Sequence, residues 1–486
     1  MHLKDLNPNE LWNIFYDITQ IPRPSHHLTE ITKYVVDFGK NLGLETTTDK
    51  AGNVFIKKPA TPGMENRKKV VLQAHLDMVP QKNSDTAHDF TKDPLKVFVD
   101  GDWVKATDTT LGSDNGIGMS SILAVLQSKT LKHGAIEALI TADEETGMFG
   151  AFGLEKGALT GEILINTDSE DEGELFVGCA GGIDLTATFR YKEVEEVPEG
   201  DIAMKLNLTG LKGGHSGVDI HLGRGNANKL LFRFLKIAVA EFEARLAWVS
   251  GGTLRNAIPR EAFAIVTIPN QLKDEFEEAV VEIEEIFRRE HSDQEPTLSF
   301  KAEPTELPKT LIPEEIQDDL INAIEGAKNG VARMISSLPG VVETSSNLAI
   351  VQTGDGEAKV QILIRSSAET MKESLASSLE SVFALAGAKV ELSGSYPGWQ
   401  PNIDSPILKV MKSGYQNLFG VEPKVNVIHA GLECGIIGAA CPGMDMISFG
   451  PTIRFPHSPD EKVNIPSVQK YWDYLVDVLA NIPVKE

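Results

Sequence analysis

Apolar and polar positions along the chain follow two regimes. Asn7-Pro8 followed by Asn9-Glu10-Leu11-Trp12 reads as a helix start, and Phe15, Ile18 and Ile21 continue its apolar face until Pro22 and Pro24 stop it. A second helix is predicted from about Leu28 to Leu42, then a strand pair over 44–57 turning at Ala51-Gly52-Asn53. A strand from Lys69 to Leu76 comes next. LGSDNGIGMSSILAVLQS reads as a loop entering a helix, and AIEALITADEE and GEILINTDSE as further strands. Strands alternating with helices predict an α/β fold with a mostly parallel sheet flanked by helices. From about Ile183, segments such as IDLTATFRY and AMKLNLTGL alternate in the half-buried antiparallel manner, separated by long charged helices. Near Tyr396-Pro397-Gly398-Trp399 the helix–strand–turn pattern returns. The expected organisation is a first domain formed by 1–184 and 396–486, with an α+β domain, 185–395, inserted into it. No short-period repeat or low-complexity segment is evident.

Composition narrows the function classes. At 486 residues the chain is too long for one core, and 41% hydrophobic with 24% charged residues is an ordinary globular balance. Lys plus Arg number 46 against 70 Asp plus Glu, a formal charge of −24. That acidity argues against nucleic acid and anionic membrane as partners, since both recruit basic patches. Cys179, Cys434 and Cys441 are odd in number, scattered, and set among small apolar residues. They imply neither a disulfide framework nor a nucleophile, and suit a reducing compartment. The first residues lack the charged-then-apolar plan of a signal peptide, and no window approaches the ~18 uninterrupted apolar residues of a membrane span. A cytoplasmic location is expected.

Candidate chemistry gathers where apolar strands end. VLQAHLDMVP finishes in His75 and Asp77, and residues two apart in a strand point to one face. An imidazole is a good zinc ligand, and a carboxylate beside it can orient it or act on what it binds. Asp114 lies in the glycine-rich LGSDNGIG, Glu144 and Glu145 close ALITADEE, Asp168 closes ILINTD, and His457 lies in FPHSPDE after the strand MISFGP. Taken singly, Asp114 reads as a helix cap, Asp168 as a turn residue and His457 as a loop histidine. Together, at strand ends on one side of a sheet, two histidines and three carboxylates form a mixed N/O set typical of zinc or manganese. Five ligands suit two ions sharing one carboxylate, each keeping a position for water or substrate.

The segments AHLDMVP, LGSDNGIG, TADEETGMFG, INTDSEDEGELFVGCAGG, GGHSGVDIHLGRGNANKL, HAGLECG and FGPTIRFPHSPDE resemble the dizinc metallopeptidase family that includes acetylornithine deacetylase, succinyl-diaminopimelate desuccinylase and carnosinase. The likeness is greatest to its aminoacyl-histidine (Xaa-His) dipeptidase branch and runs from the N-terminal helix to the last motif. It implies an exopeptidase catalytic domain carrying a lid domain, through which a homodimer can form. It also implies that His75 and Asp168 hold one metal and Glu145 and His457 the other, with Asp114 bridging them and followed by a cis peptide bond. By the same resemblance Asp77 orients His75, and Glu144 is the general base. His215 in GGHSG matches a lid histidine that stabilises the oxyanion, often from the partner subunit, while Asn256 and Arg365 match positions that contact the substrate's polar end. The cofactors implied are two divalent ions, zinc foremost, with manganese or cobalt also accepted by such ligands. The activity implied is hydrolysis of small peptides, Xaa-His dipeptides first. Two other readings use the same residues: an N-acyl amino acid deacylase or desuccinylase, and a non-catalytic peptide-binding member. The second conflicts with the presence of every ligand together with Asp77 and Glu144.

Overall fold

The apolar run Val70–His75 is a strand buried at every position, as are Ile136–Thr141 and Ile163–Asn166. The computed structural model describes residues 2–485. The chain divides into two compact units, the first made of Met1–Gly178, Trp399–Val427 and Leu432–Glu486 and the second of Cys179–Gly398 with Ile428–Gly431.

In the first unit an eight-stranded sheet runs in the order Glu45–Thr48, Val54–Lys58, Ile136–Thr141, Val70–His75, Ile163–Asn166, Asp445–Ser448, Glu174–Cys179, Lys424–Ile428. The four central strands, Ile136–Thr141 through Asp445–Ser448, pair parallel with one another. The first two strands are joined by the tight turn at Ala51–Gly52, which forces an antiparallel hairpin. Val54–Lys58 in turn pairs antiparallel with Ile136–Thr141, and Glu174–Cys179 antiparallel with Asp445–Ser448. Complete burial of Val70–His75, Ile136–Thr141 and Ile163–Asn166 requires cover on both faces. Part of that cover is the helix Ser113–Gln127, buried from Asn115 to Leu126, which lies against Val70–His75 and is itself overlaid by Asn9–Thr19. The helix Ile465–Asn481 packs on Pro406–Phe419 and joins its Tyr471 hydroxyl to Ser121 Oγ at 2.7 Å. A smaller sheet, in the order Ile453–Arg454, Lys462–Asn464, Trp103–Ala106, Val97–Asp100, sets the 453–464 hairpin beside the segment that leads to Asp114.

The second unit is built on a nine-stranded antiparallel sheet. Its helices Ala227–Phe242, Lys273–Glu290, Glu314–Gly326 and Glu369–Leu385 bury Phe234, Phe276, Ile324 and Phe383 in one cluster with the strand residues Leu185, Ala187, Leu206 and Val266. The acidic run 273–290 is a helix whose Phe276, Val280, Ile283 and Phe287 face inward while its glutamates face solvent. The strand Gly181–Arg190 runs through the expected boundary at 184/185, and Lys389–Tyr396 through that at 395/396. All three cysteines are buried. Among the described residues no helix is long and apolar enough to cross a membrane.

Candidate metal centre

Parallel strands deliver their C-terminal ends to one edge of a sheet, where ligands bind in folds of this kind. The register sets the meeting point. His75 lies opposite Thr141, three residues before Glu144, while Gln73 pairs with Asn166, two residues before Asp168. Ser448 pairs with Asn166 and sends the chain into the 453–464 hairpin, whose turn carries His457. Asp114 enters from the helix Ser113–Gln127; its own backbone is not helical, and the Asp114–Asn115 bond is cis.

These five residues converge in two groups that share Asp114. His75, Asp114 and Asp168 offer ligand atoms all within 4.8 Å of one another, as do Asp114, Glu145 and His457. The two oxygens of Asp114 face different histidines: Oδ1 is 3.2 Å from His75 Nε2, and Oδ2 is 3.2 Å from His457 Nε2. His75 Nε2 is 3.3 Å from Asp168 Oδ1, and His457 Nε2 is 3.0 Å from Glu145 Oε2. Glu144 joins a third group with His75 and Glu145.

Asp77 holds two parts of this arrangement at once. Its Oδ1 lies 3.3 Å from His75 Nδ1, leaving Nε2 turned toward Asp114 and Asp168. The same carboxylate accepts the backbone N–H of Glu144 at 3.0 Å, that of Glu145 at 3.2 Å, and the Ser25 hydroxyl at 2.8 Å. Burial opposes its ionisation, but these donors and His75 bring its pKa down to about 2.

The electrostatics of the donor set fit bound cations. Hydrogen bonds that His457 donates to Asp114 and then to Glu145 push its pKa up to about 11, so the charges that would keep a proton there would also hold a metal ion. Glu144 is raised well above the usual carboxylate range by burial and by the neighbouring Asp168, Glu433 and Glu145. Glu145 is raised by burial and by Asp114, and its Oε1 is buried with no hydrogen-bond partner. Crowded carboxylates and an orphaned buried oxygen are what a divalent ion would relieve. Backbone strain collects here too: Asp143, Phe455 and His457 have φ of 49°, 56° and 59°.

Several residues around this centre escape sequence reasoning. Arg23, which stands between the two prolines that stop the first helix, is buried and donates to the carbonyls of Leu76 and Asp77 at 2.9 and 2.6 Å. Glu461 stands inside the quoted FPHSPDE motif, yet only the fold shows that it is buried against the turn before Asp114. Asn115 donates its side-chain amide to Asp168 Oδ1. Burial pushes Glu170 up to about 9, with Asp114 and Asp168 adding to the effect. Glu433, from HAGLECG, accepts from Gln73 at 2.6 Å and Thr141 at 2.7 Å; burial pushes it up to about 8.

His215, Asn256 and Arg365 belong to the second unit. His215 pairs with Ala257 in a two-stranded ribbon, and the carbonyl of the exposed Asn256 accepts the Ser216 N–H at 2.8 Å. His215 Nδ1 accepts the N–H groups of Gly217 and Val218 at 3.1 and 3.0 Å, which leaves the ring proton on Nε2. Arg365 is buried and donates to the Tyr396 hydroxyl at 2.9 Å and Ser216 Oγ at 3.3 Å. Burial and then Arg365 lower the His215 pKa, favouring the neutral ring.

Residues 71–481 match the family described as Peptidase family M20/M25/M40. Over 483 residues, 99% of both chains, the sequence is 50% identical to the cytosol non-specific dipeptidase of Escherichia coli (strain K12). It is also 50% identical to the aminoacylhistidine dipeptidase of Vibrio alginolyticus, whose crystal structure matches with a TM-score of 0.95, covering 100% of this chain and 99% of that one. Aminopeptidase PepT from Bacillus cereus ATCC 10987 shares the fold, with a TM-score of 0.57 at 16% identity, covering 98% of this chain and 99% of that one.

Proposed function

The chain is an enzyme of peptidase family M20/M25/M40, and from that membership we propose that it is a cytosolic, metal-dependent dipeptidase whose substrates include Xaa-His dipeptides. The observation that carries this proposal is the pair of three-residue groups sharing Asp114, with Glu144 beside them. The full-length likeness to two dipeptidases, one named non-specific and one named for aminoacylhistidine, supports the substrate class. The cytosolic location follows the name of the first.

His75, Asp114 and Asp168 would hold one divalent ion, and Asp114, Glu145 and His457 the other, with zinc the first choice for such ligands. Bound there, the ions supply Lewis acidity that makes a water acidic and polarises the scissile carbonyl. Glu144 takes a proton from the attacking water as the new C–O bond forms, and returns it to the amine nitrogen as the C–N bond breaks. Its position is set through its own N–H, which is tied to Asp77. For His215 we propose the role of donor to the oxyanion, supported by a ring whose proton lies on Nε2. Arg365, and with it Asn256, would contact the polar end of the peptide, and a homodimer through the second unit is part of the same proposal.

The test is a panel assay of metal-reconstituted protein against Xaa-His dipeptides, dipeptides lacking histidine, and N-acetyl and N-succinyl amino acids. Dipeptide turnover that chelator abolishes and divalent metal restores is the expected result. Turnover of the acyl amino acids alone would replace the reading with a deacylase.

A further inference from the structure

Gly112 is where two long-range contacts meet. Its carbonyl accepts a hydrogen bond from the Arg23 guanidinium, while its N–H donates to Glu461 Oε2 at 2.9 Å. With φ of 67°, and with Arg23 Nη2 2.6 Å and Met78 S 2.8 Å from where a Cβ would stand, the position has no room for a side chain. Arg23 ties this turn to the carbonyls of Leu76 and Asp77, at the end of the strand that carries His75. Glu461 ties it the other way, to the hairpin that carries His457 four residues earlier.

The grip of Glu461 is extensive. Oε2 accepts the N–H of Leu111 at 2.8 Å as well as that of Gly112; Oε1 accepts the Ser113 N–H at 2.8 Å, the Ser113 hydroxyl at 2.5 Å and the Asp114 N–H at 3.3 Å. A helix begins with N–H groups that have no partner within it, and a nearby side chain normally takes them. Elsewhere in this chain Asn226, Ser405 and Asn464 do so at their own helices. The helix Ser113–Gln127 has no such cap, because its first residue is preceded by Gly112. Its cap arrives instead from Glu461, 348 positions away in sequence from Ser113. A remote cap fixes the place of a helix start relative to another part of the molecule as well as satisfying its donors.

We propose that Glu461 is a positioning residue that sets the separation of the two metal sites, by locking the turn of the shared ligand Asp114 to the hairpin of His457. This rests on the functional reading that Asp114 is shared. Arg23 would continue to hold Asp114 against His75 if Glu461 were altered, so the loss should be one-sided.

The experiment is a Co(II) titration of the apoenzyme followed by visible absorption, with His75→Ala and His457→Ala chains giving the spectrum of each site alone. In Glu461→Gln the His75 site should fill as in the parent, and the His457 site should bind at least about tenfold more weakly. The kcat should return toward the parent value at saturating Co(II), with KM unchanged. Equal weakening of both sites, or a lowered melting temperature of the apoprotein with both affinities intact, would overturn the proposal. Should Glu461→Gln fail to fold, Ser113→Ala removes only the hydroxyl donor and should weaken the His457 site about threefold, roughly one modest hydrogen bond. Unchanged affinities in that chain would count against the proposal equally. A parent protein that binds fewer than two Co(II) ions would instead sink the functional reading itself.

Discussion

In the first unit the strand Val70–His75 is buried at every position, whereas in the second the strand Gly181–Arg190 alternates buried with half-buried residues from Leu185 to Phe189. Both units are sheets backed by helices. With both faces of the central strands covered, however, only the strand ends remain open to a ligand, and the candidate chemistry is compressed into the few residues after them. An antiparallel sheet can also carry a polar group within a strand, and Arg365, buried on the strand Glu357–Ser366, is such a group. The proposed function divides its labour along the same line: strand ends for metal and proton transfer, the second unit's strands and ribbon for holding the substrate.

The largest effect should fall on Glu144. Glu144→Ala is expected to lower kcat about a thousandfold with both equivalents of metal still bound. Surviving hydrolysis would remove proton transfer from the strand ends. Asp77→Asn comes next, because it weakens the hold on the His75 ring; metal affinity measured by competition with a chelator should fall about 10- to 100-fold. A substitution confined to the second unit should behave differently. Arg365→Lys keeps the charge but loses the fork that reaches both Tyr396 and Ser216, so KM should rise about tenfold with metal content unchanged. Loss of metal in that chain would break the division.

The smallest effect concerns stability. His429, in the segment Ile428–Gly431 of the second unit, is buried; its Nε2 lies 2.7 Å from Ser345 Oγ and its Nδ1 has no partner. Burial, then the facing Arg365, His215 and His221, lower its pKa from 6.5 to about 3. The folded chain therefore favours the neutral ring. Its contribution to stability is complete above pH 6.5 and is lost as pH falls from there toward 3. Between pH 6.5 and about 5, above most carboxylate titrations, the urea midpoint should fall more steeply in the parent than in His429→Gln. Parallel slopes would dismiss His429 as the group responsible.

Strand ends are also what the sequence makes easy to read. Each of His75, Glu144, Glu145 and Asp168 interrupts an apolar run, so a polar residue there stands out against its neighbours, and the fold brings them together with Asp114 and His457. Arg23 and Glu461 leave no such trace, because they partner backbone groups of distant irregular segments and follow no period. The antiparallel joins of Val54–Lys58 and Glu174–Cys179 to the parallel strands were hidden for a related reason: strand direction depends on connections and pairing, which local apolar pattern does not encode. Nor does composition mark Ile428–Gly431, four residues that leave one unit for the other.

Asp77 carries a consequence for anyone wishing to redesign this centre. Its carboxylate serves both the His75 ring and the amides of Glu144 and Glu145. In the proposed mechanism, metal preference and proton-transfer geometry therefore have one common adjustment point. A library that varies Asp77 to accommodate a different ion would disturb the Glu144 turn in every member, so useful variants would have to arise in pairs, with a second change restoring acceptors for the two amides.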